Sequence, residues 1–420
     1  GPARVYPITH APVDPRLGNW QTRQAKMQMK PYEVVVIGGA VMGASCAFWL
    51  SRMQPGISVL VIEQDPSFAR ASTALSVASI RSQFSTGVNV AISRFGIEFI
   101  RNFQDHLGHD VGIPTLGFKE NGYLFLAHSA KGADLLTELA QMQRGQGAST
   151  EVWSPEQTQA RFPWLNVEDI AAASFGPRDE GWFDNMGLLS GFRAAAKAQG
   201  VQFISDEAIG LEMANGRVVA VSLRKAGRVA CSHAVNAAGT RAAVVAGWAG
   251  LTVPVEPRKR TVFVIDAPNA RHPDAPLLVD SGFYLRPEHG GQWITATVPA
   301  EDGPCAADDF EPDLHLFEEV IWEQLYHRAP GFDAVKVVRH WVGHYAYNTL
   351  DQNAILGPHP EVPNLLFMNG FSGHGLQQSP AIGRGVAEHL LTGGWQSLDL
   401  SDLSIDRVIS GKPFSEKQVV

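Results

Sequence analysis

The chain has 420 residues, 45% of them hydrophobic and 18% charged, with a formal net charge of -8, the profile of a globular protein with room for two cores. No basic run stands out, which argues against nucleic acid as a partner, and no apolar run reaches the roughly 18 residues of a membrane span. Cys46, Cys231 and Cys305 are too few and too scattered for a disulfide framework or a zinc site, which points to a reducing compartment, the cytoplasm or, in a eukaryote, the mitochondrial matrix.

In chain order, residues 1–31 come first, with Pro2, Pro7, Pro12 and Pro15 but no periodicity. Gly1-Pro2 reads as an expression scar, and the remainder as a surface arm packed on the fold. Its five Lys or Arg against Asp14 leave a weaker organelle-targeting reading. Residues 34–37, Val-Val-Val-Ile, form a β-branched apolar run suited to a strand buried on both faces. Gly38, Gly39, Ala40 and Gly43 follow, then an apolar helix from Ala44 to Leu50. A second apolar strand, 57–62, ends in Glu63, 20 residues after Gly43. Strand, glycine turn, helix, strand and acid together make a dinucleotide-binding unit, in which the helix start receives a pyrophosphate and the acid a ribose. Ala40 stands where the fingerprint has its second glycine, and its methyl crowds the phosphate slightly.

Residues 70–81 are rich in small and hydroxyl side chains, and Ser72 and Thr73 offer donors to phosphate or ribityl oxygens. Alternatively Ser72 caps a helix start. Apolar spacing predicts a helix over 88–103, a turn entering a strand over 117–127, a helix over 133–144, and a capping box at Ser154-Pro155-Glu156-Gln157. Here strand and helix cease to alternate, which marks entry into a second domain. A helix over 186–199, a strand over 201–204, and a hairpin turn at Asn215-Gly216 come next. The strand through Ala237, Ala238 and Gly239 precedes a helix over 241–248, and its small residues let backbone approach a ligand. Strands dominate 255–298, and Leu314, Phe317, Ile321 and Leu325 mark the buried face of a covering helix.

The last stretch, 339–391, holds Trp341 to Asp351, a strand over 365–368, and Asn369-Gly370-Phe371-Ser372-Gly373-His374-Gly375-Leu376-Gln377-Gln378. Its glycines permit a second ligand-contacting turn into a helix. Tyr345 and Tyr347 share one side of a strand, so both face a pocket or both face core. His340 and His344 lie in the same strand pattern, and no metal is expected.

These motifs, together with Tyr347-Asn348-Thr349, Asp351-Gln352-Asn353 and Gly357-Pro358-His359-Pro360, resemble the D-amino acid oxidase superfamily of FAD enzymes, which includes glycine oxidase, sarcosine oxidase and dimethylglycine dehydrogenase. The likeness runs from Tyr32 to Gly393. It is nearest to the FAD oxidoreductase-domain branch associated with respiratory complex I assembly and its bacterial relatives that oxidise iminodiacetate. The resemblance implies an α/β fold with an α+β second domain: a Rossmann-type FAD-binding domain (32–116, 177–250, 340–395), a discontinuous antiparallel-sheet substrate domain (117–176, 251–339), and a tail (396–420).

It further implies FAD held by Gly38, Gly39, Ala40, Val41, Met42 and Gly43 at the pyrophosphate, and by Glu63 and Gln64 at the adenosine ribose. Ser72, Thr73 and Ser79 would serve the ribityl side, Ala208 the adenine, and Ala237, Ala238 and Gly239 the same cofactor. Gly343, Gly370, Ser372, Gly373, His374, Gly375, Leu376 and Gln377 would lie along the isoalloxazine. The implied substrate is an amino acid or secondary amine bearing a carboxylate, such as sarcosine, another N-substituted glycine or an iminodiacetate-like molecule, oxidised to an imine. Arg81 matches a carboxylate-binding arginine, though a solvated or ion-paired arginine fits its position equally. Tyr284 matches an aromatic near substrate, and Tyr345 and Tyr347 are candidate helpers.

Three departures are visible. Gln377 replaces a substrate-holding lysine, Thr295 falls near an oxygen-activating lysine, and His344 replaces the cysteine that links flavin covalently. Non-covalent FAD is therefore expected, with oxygen or an electron-transfer protein as acceptor. The alternative is a flavoprotein scaffold for respiratory assembly with little activity.

Overall fold

The structure is a computed structural model and describes residues 29–417; the arm expected over 1–31 lies outside the described residues up to position 28. Two large sheets organise the chain. In the first, strands Gln202–Ser205, Val59–Glu63, Tyr32–Ile37, Gly227–Asn236 and Val362–Asn369 lie side by side in parallel, and Ile355–His359 adds an antiparallel edge.

The opening strand is apolar at successive positions because both of its faces are covered. Val34 and Val36 pack into a core with the helices Val41–Met53, Asn185–Ala198 and Gly375–Thr392. Val35 and Ile37 pack on the opposite side with Val221, Val229 and Val245, from the hairpin Arg217–Leu223/Gly227–Asn236 and the helix Ala242–Trp248. A polar residue at any of these four positions would lose a partner for its polar group.

The closing helix Gly375–Thr392 lies against Val41–Met53 so closely that a Cβ on Gly383 would overlap Ser45. Ser45 Oγ donates to Ser379 O at 2.7 Å. Pro380, inside this helix, has no N–H for the Leu376 carbonyl, which accepts from Ser379 Oγ at 2.9 Å instead.

The second sheet runs Lys336–Asn348, Val255–Asp266, Gln292–Thr297, Phe283–Pro287, Leu277–Asp280, Tyr123–Ala127, Ala172–Gly176, Glu151–Trp153, antiparallel except where Leu277–Asp280 meets Tyr123–Ala127. Its outer face is covered by Phe317, Ile321 and Leu325. These lie on a π-helical stretch, Phe317–Ile321, that continues into the α-helix Trp322–Arg328. Leu314, expected on that buried face, is 50% exposed, because it precedes the helix. The capping box at Ser154 and Gln157 is formed, with Pro155 in the first turn. Lys336–Asn348 pairs with Val255–Asp266 along its length, so residues 340–348, expected in the cofactor domain, are bonded into the second sheet. The inner face of this sheet looks toward the carboxyl ends of the parallel strands, and the space between them is the site.

Candidate active site

One cavity runs from the carboxyl ends of Tyr32–Ile37 and Val59–Glu63 to the inner face of the second sheet. Glu63 and Gln64 line its first end with Asp206, Glu207, Ala208 and Trp248. The Glu63 carboxylate accepts from Gly39 N at 3.1 Å and from Asp65 N at 2.8 Å. Burial pushes its carboxyl up, and those two donors pull it back.

The glycines have distinct tasks. Gly38 has φ 106, and a Cβ there would overlap the Ala237 carbonyl. Gly39 leaves 3.0 Å to the Glu63 Cβ, and a Cβ on Gly43 would overlap the Gly38 carbonyl. Gly39 and Gly43, expected to touch cofactor, do not line the cavity; their lack of a side chain brings strand, turn and helix together. Gly370 is likewise set back, with φ 69 and Asn348 Cβ beside it. Gly38, Ala40, Val41 and Met42 do line the wall. Helix Val41–Met53 begins there with no side-chain cap and no acid in its first turn, and Val41 N donates to Thr73 Oγ1 at 3.3 Å. An uncapped helix start aimed into a cavity suits an anionic diphosphate, and the Ala40 methyl is accommodated beside it.

Ser72, Thr73, Ser79, Ala237, Ala238, Gly239 and Gly343 line the middle. No helix begins at Ser72, whose Oγ donates to His344 O at 2.7 Å. His344 also lines the cavity. It stacks on Phe310 at 4.1 Å, and its Nε2 lies 2.5 Å from Asp309 O.

The far end gathers Arg81, Tyr284, Tyr345, Tyr347, Ser372, Gly373, His374, Gly375, Leu376 and Gln377. Both tyrosines of the strand therefore face the cavity. Ser372 holds φ 52, an unusual backbone for a non-glycine residue, and its Oγ accepts from Asn348 N at 2.9 Å. A Cβ on Gly373 (φ 95) would come 2.7 Å from the Tyr345 ring.

Arg81 is 7% exposed. Its guanidinium faces the rings of Phe84, Phe125 and Tyr123 at 4.3, 5.3 and 5.8 Å. Its backbone N–H donates to Gln377 Oε1 at 3.1 Å, its Nη2 lies 3.3 Å from His374 Nε2, and its Nε has no partner. A guanidinium only donates, so His374 Nε2 accepts and the ring proton sits on Nδ1. Protein surrounds the imidazole except where it meets the cavity. That burial first, and the Arg81 charge second, push its pKa down to about 3, so the pair carries one positive charge and not two.

Several wall residues have no counterpart in the sequence reading. Arg260 stacks on Tyr345 at 4.7 Å and holds Asp302 through two bonds of 2.7 and 2.8 Å, and Arg258 lies 3.6 Å over the Tyr347 ring. A charged residue next to the apolar run 261–265 was the available signal, since a buried cation in a strand requires a partner. Thr295 does not reach the cavity; its Oγ1 donates to Tyr284 O at 2.8 Å.

Comparison with known proteins agrees with this geometry. The profile of the "FAD dependent oxidoreductase" family matches residues 33–389. FAD-dependent oxidoreductase domain-containing protein 1 of Xenopus laevis is 40% identical over 92% of this chain and 85% of its own length. Mitochondrial sarcosine dehydrogenase of Mus musculus is 25% identical over 89% of this chain and 41% of its own length. Among solved structures, L-proline dehydrogenase from P. horikoshii superposes with a TM-score of 0.81 at 26% identity, covering 92% of this chain and all of that one. With a match over most of its length and a cavity shaped for an extended dinucleotide, the chain belongs to the FAD-dependent oxidoreductase family.

Proposed function

We propose that this protein oxidises the C–N bond of an amino acid or secondary amine bearing a carboxylate. The observation that carries the reading is Arg81: a buried guanidinium that forms no salt bridge among the described residues, at the end of the cofactor cavity, with a neutral histidine beside it. Such a charge calls for an anion, and a charge-assisted hydrogen bond of this kind contributes roughly 1.5–3 kcal/mol. Sarcosine and proline, for which two of the relatives are named, are both secondary amines with a carboxylate one carbon away, and the same chemistry is proposed here.

The chain's own residues supply binding and orientation. Arg81 anchors the carboxylate, His374 adds no second charge that would repel an ammonium approaching the site, and Tyr284, Tyr345 and Tyr347 wall the amine side. Gln377 orients Arg81 through its backbone, where related enzymes place a lysine. The cavity wall from Glu63 to Gln377 would hold FAD non-covalently, and the flavin would supply the hydride acceptor. The resulting imine hydrolyses in water, and electrons pass to oxygen or an electron-transfer protein. Segments 32–116, 177–250 and 340–395 serve the cofactor, with Arg81, Tyr345 and Tyr347 reaching from them to the substrate, and the second sheet walls the substrate side.

Anaerobic mixing with sarcosine, proline, iminodiacetate and primary amino acids tests the reading by bleaching of the flavin band. An unreactive flavin that co-purifies with respiratory subunits would favour the scaffold role instead.

A further inference from the structure

Glu180 has no part in the proposed chemistry, yet it is bonded to the backbone of the residue that follows Arg81. It ends the turn after strand Ala172–Gly176, is 1% exposed, and fills the space a Cβ on Gly176 would take. Its Oε2 accepts from Ser82 N at 3.2 Å, and its Oε1 accepts from Gln83 Nε2 at 3.2 Å. Gln83 also donates to Tyr123 O at 3.1 Å and accepts from Ser174 Oγ at 2.6 Å. One carboxyl group thus grips the two residues that follow Arg81.

The charges facing it are few. From its own turn, Asp179 is occupied by Arg94 and Arg101. From strand Tyr123–Ala127, the Tyr123 phenol is pushed up to about 12 by burial and stays neutral. From segment 79–84 comes Arg81, whose charge reaches Glu180, and beyond it His374 is neutral. Burial, working against Gln83, Arg81 and the Ser82 N–H, pushes Glu180 up to about 8.

We infer that Glu180 is a proton-linked counter-ion of Arg81: a carboxylate binding at Arg81 and a proton binding at Glu180 favour one another. Two anions buried near one guanidinium repel each other, so the arrival of the first makes ionisation of the second harder, and the linkage is reciprocal. The proton comes from solvent and stays on a Glu180 carboxyl oxygen while the ligand is bound. Glu180 is a positioning residue, and the inference rests on Arg81 being the carboxylate anchor.

The test uses the full, FAD-loaded chain and methoxyacetate, which has a carboxylate but no oxidisable amine. Its Kd is read from the flavin spectrum between pH 6 and 9.5. In the native protein the Kd rises above the ionisation of Glu180, by up to about tenfold per pH unit. In Glu180→Gln it stays flat, and a slope that persists in this variant overturns the inference. Arg81→Met separates the two failures. If it loses methoxyacetate while Glu180→Gln keeps the native slope, the anchor stands and the counter-ion falls; if it binds like the native protein, the anchor itself is wrong. Should Glu180→Gln not fold, calorimetry of the native protein at pH 8.5 in two buffers of different ionisation enthalpy decides: uptake of roughly half to three-quarters of a proton per methoxyacetate supports the linkage, and none refutes it.

Discussion

Arg81 Nη2 lies 3.3 Å from His374 Nε2, and Arg81 N donates to Gln377 Oε1 at 3.1 Å. Residues almost 300 positions apart thus form one unit at the end of the cavity.

The first prediction concerns Arg81. Replacing it with methionine keeps the packing against Phe84 and Phe125 but removes the charge. A loss of 2–3 kcal/mol of transition-state binding corresponds to roughly 30–150-fold in kcat/KM. Steady-state kinetics on the best substrate should show that loss with the flavin spectrum unchanged; a variant as active as the native protein would remove the anchor.

A second prediction follows from His374. Its folded pKa, about 3, lies below the ordinary 6.5 of an unfolded histidine. Between these values the unfolded chain binds the proton and the folded one does not, so this group favours folding above pH 6.5 and loses that contribution as pH falls toward 3. The unfolding midpoint of His374→Gln should therefore fall less steeply between pH 6.5 and 4 than that of the native protein. Parallel curves would contradict the assigned burial.

The tail offers a third. Glu416 accepts from Ser85 N at 2.5 Å and from Thr86 Oγ1 and Asn89 Nδ2 at 2.6 Å. It ties the tail to the entry of helix Gly87–Arg101 through the backbone before the helix and two side chains at its start, where the N-cap residue Thr86 makes no capping bond. Glu416→Ala should cost about 1 kcal/mol, of the order of a lost hydrogen bond, seen as a lower denaturant midpoint with unchanged slope.

Gly373→Ala is the fourth. The site needs φ 95 there, and the added methyl meets the Tyr345 ring. The variant should shift Tyr345 off Arg260 and reduce kcat/KM by about tenfold or more, from strain on the order of 1–3 kcal/mol. Native kinetics would show that the turn is slack.

How much of this was legible depended on whether the signal was local. The unit from Tyr32 to Glu63 was readable because strand, turn, helix start and acid adjoin in sequence, and the Gly373-His374-Gly375 turn was readable for the same reason. The split between wall glycines and packing glycines was not: Gly43 is barred by the Gly38 carbonyl only in the folded turn, and Gly38 by Ala237, a contact that exists only once strands have paired. Asp302 and Glu180 were invisible in the same way, and Arg260 showed only as a charge beside an apolar run. Asp302 meets Arg260 from a loop 42 positions away, and Glu180 reaches Ser82 across 98. The boundary expected at 340 falls inside one long strand, Lys336–Asn348, which pairs in the second sheet along its length while its last residues line the cofactor cavity.

The central claim is that this cavity oxidises an amine anchored by its carboxylate. The most direct measurement is anaerobic flavin absorbance on mixing the FAD-loaded protein with a panel of carboxylate-bearing secondary and primary amines, each paired with its methyl ester. The account predicts that at least one acid bleaches the flavin band while its ester does so far more slowly. An oxidised spectrum that survives the whole panel, or esters that react as fast as their acids, would contradict it.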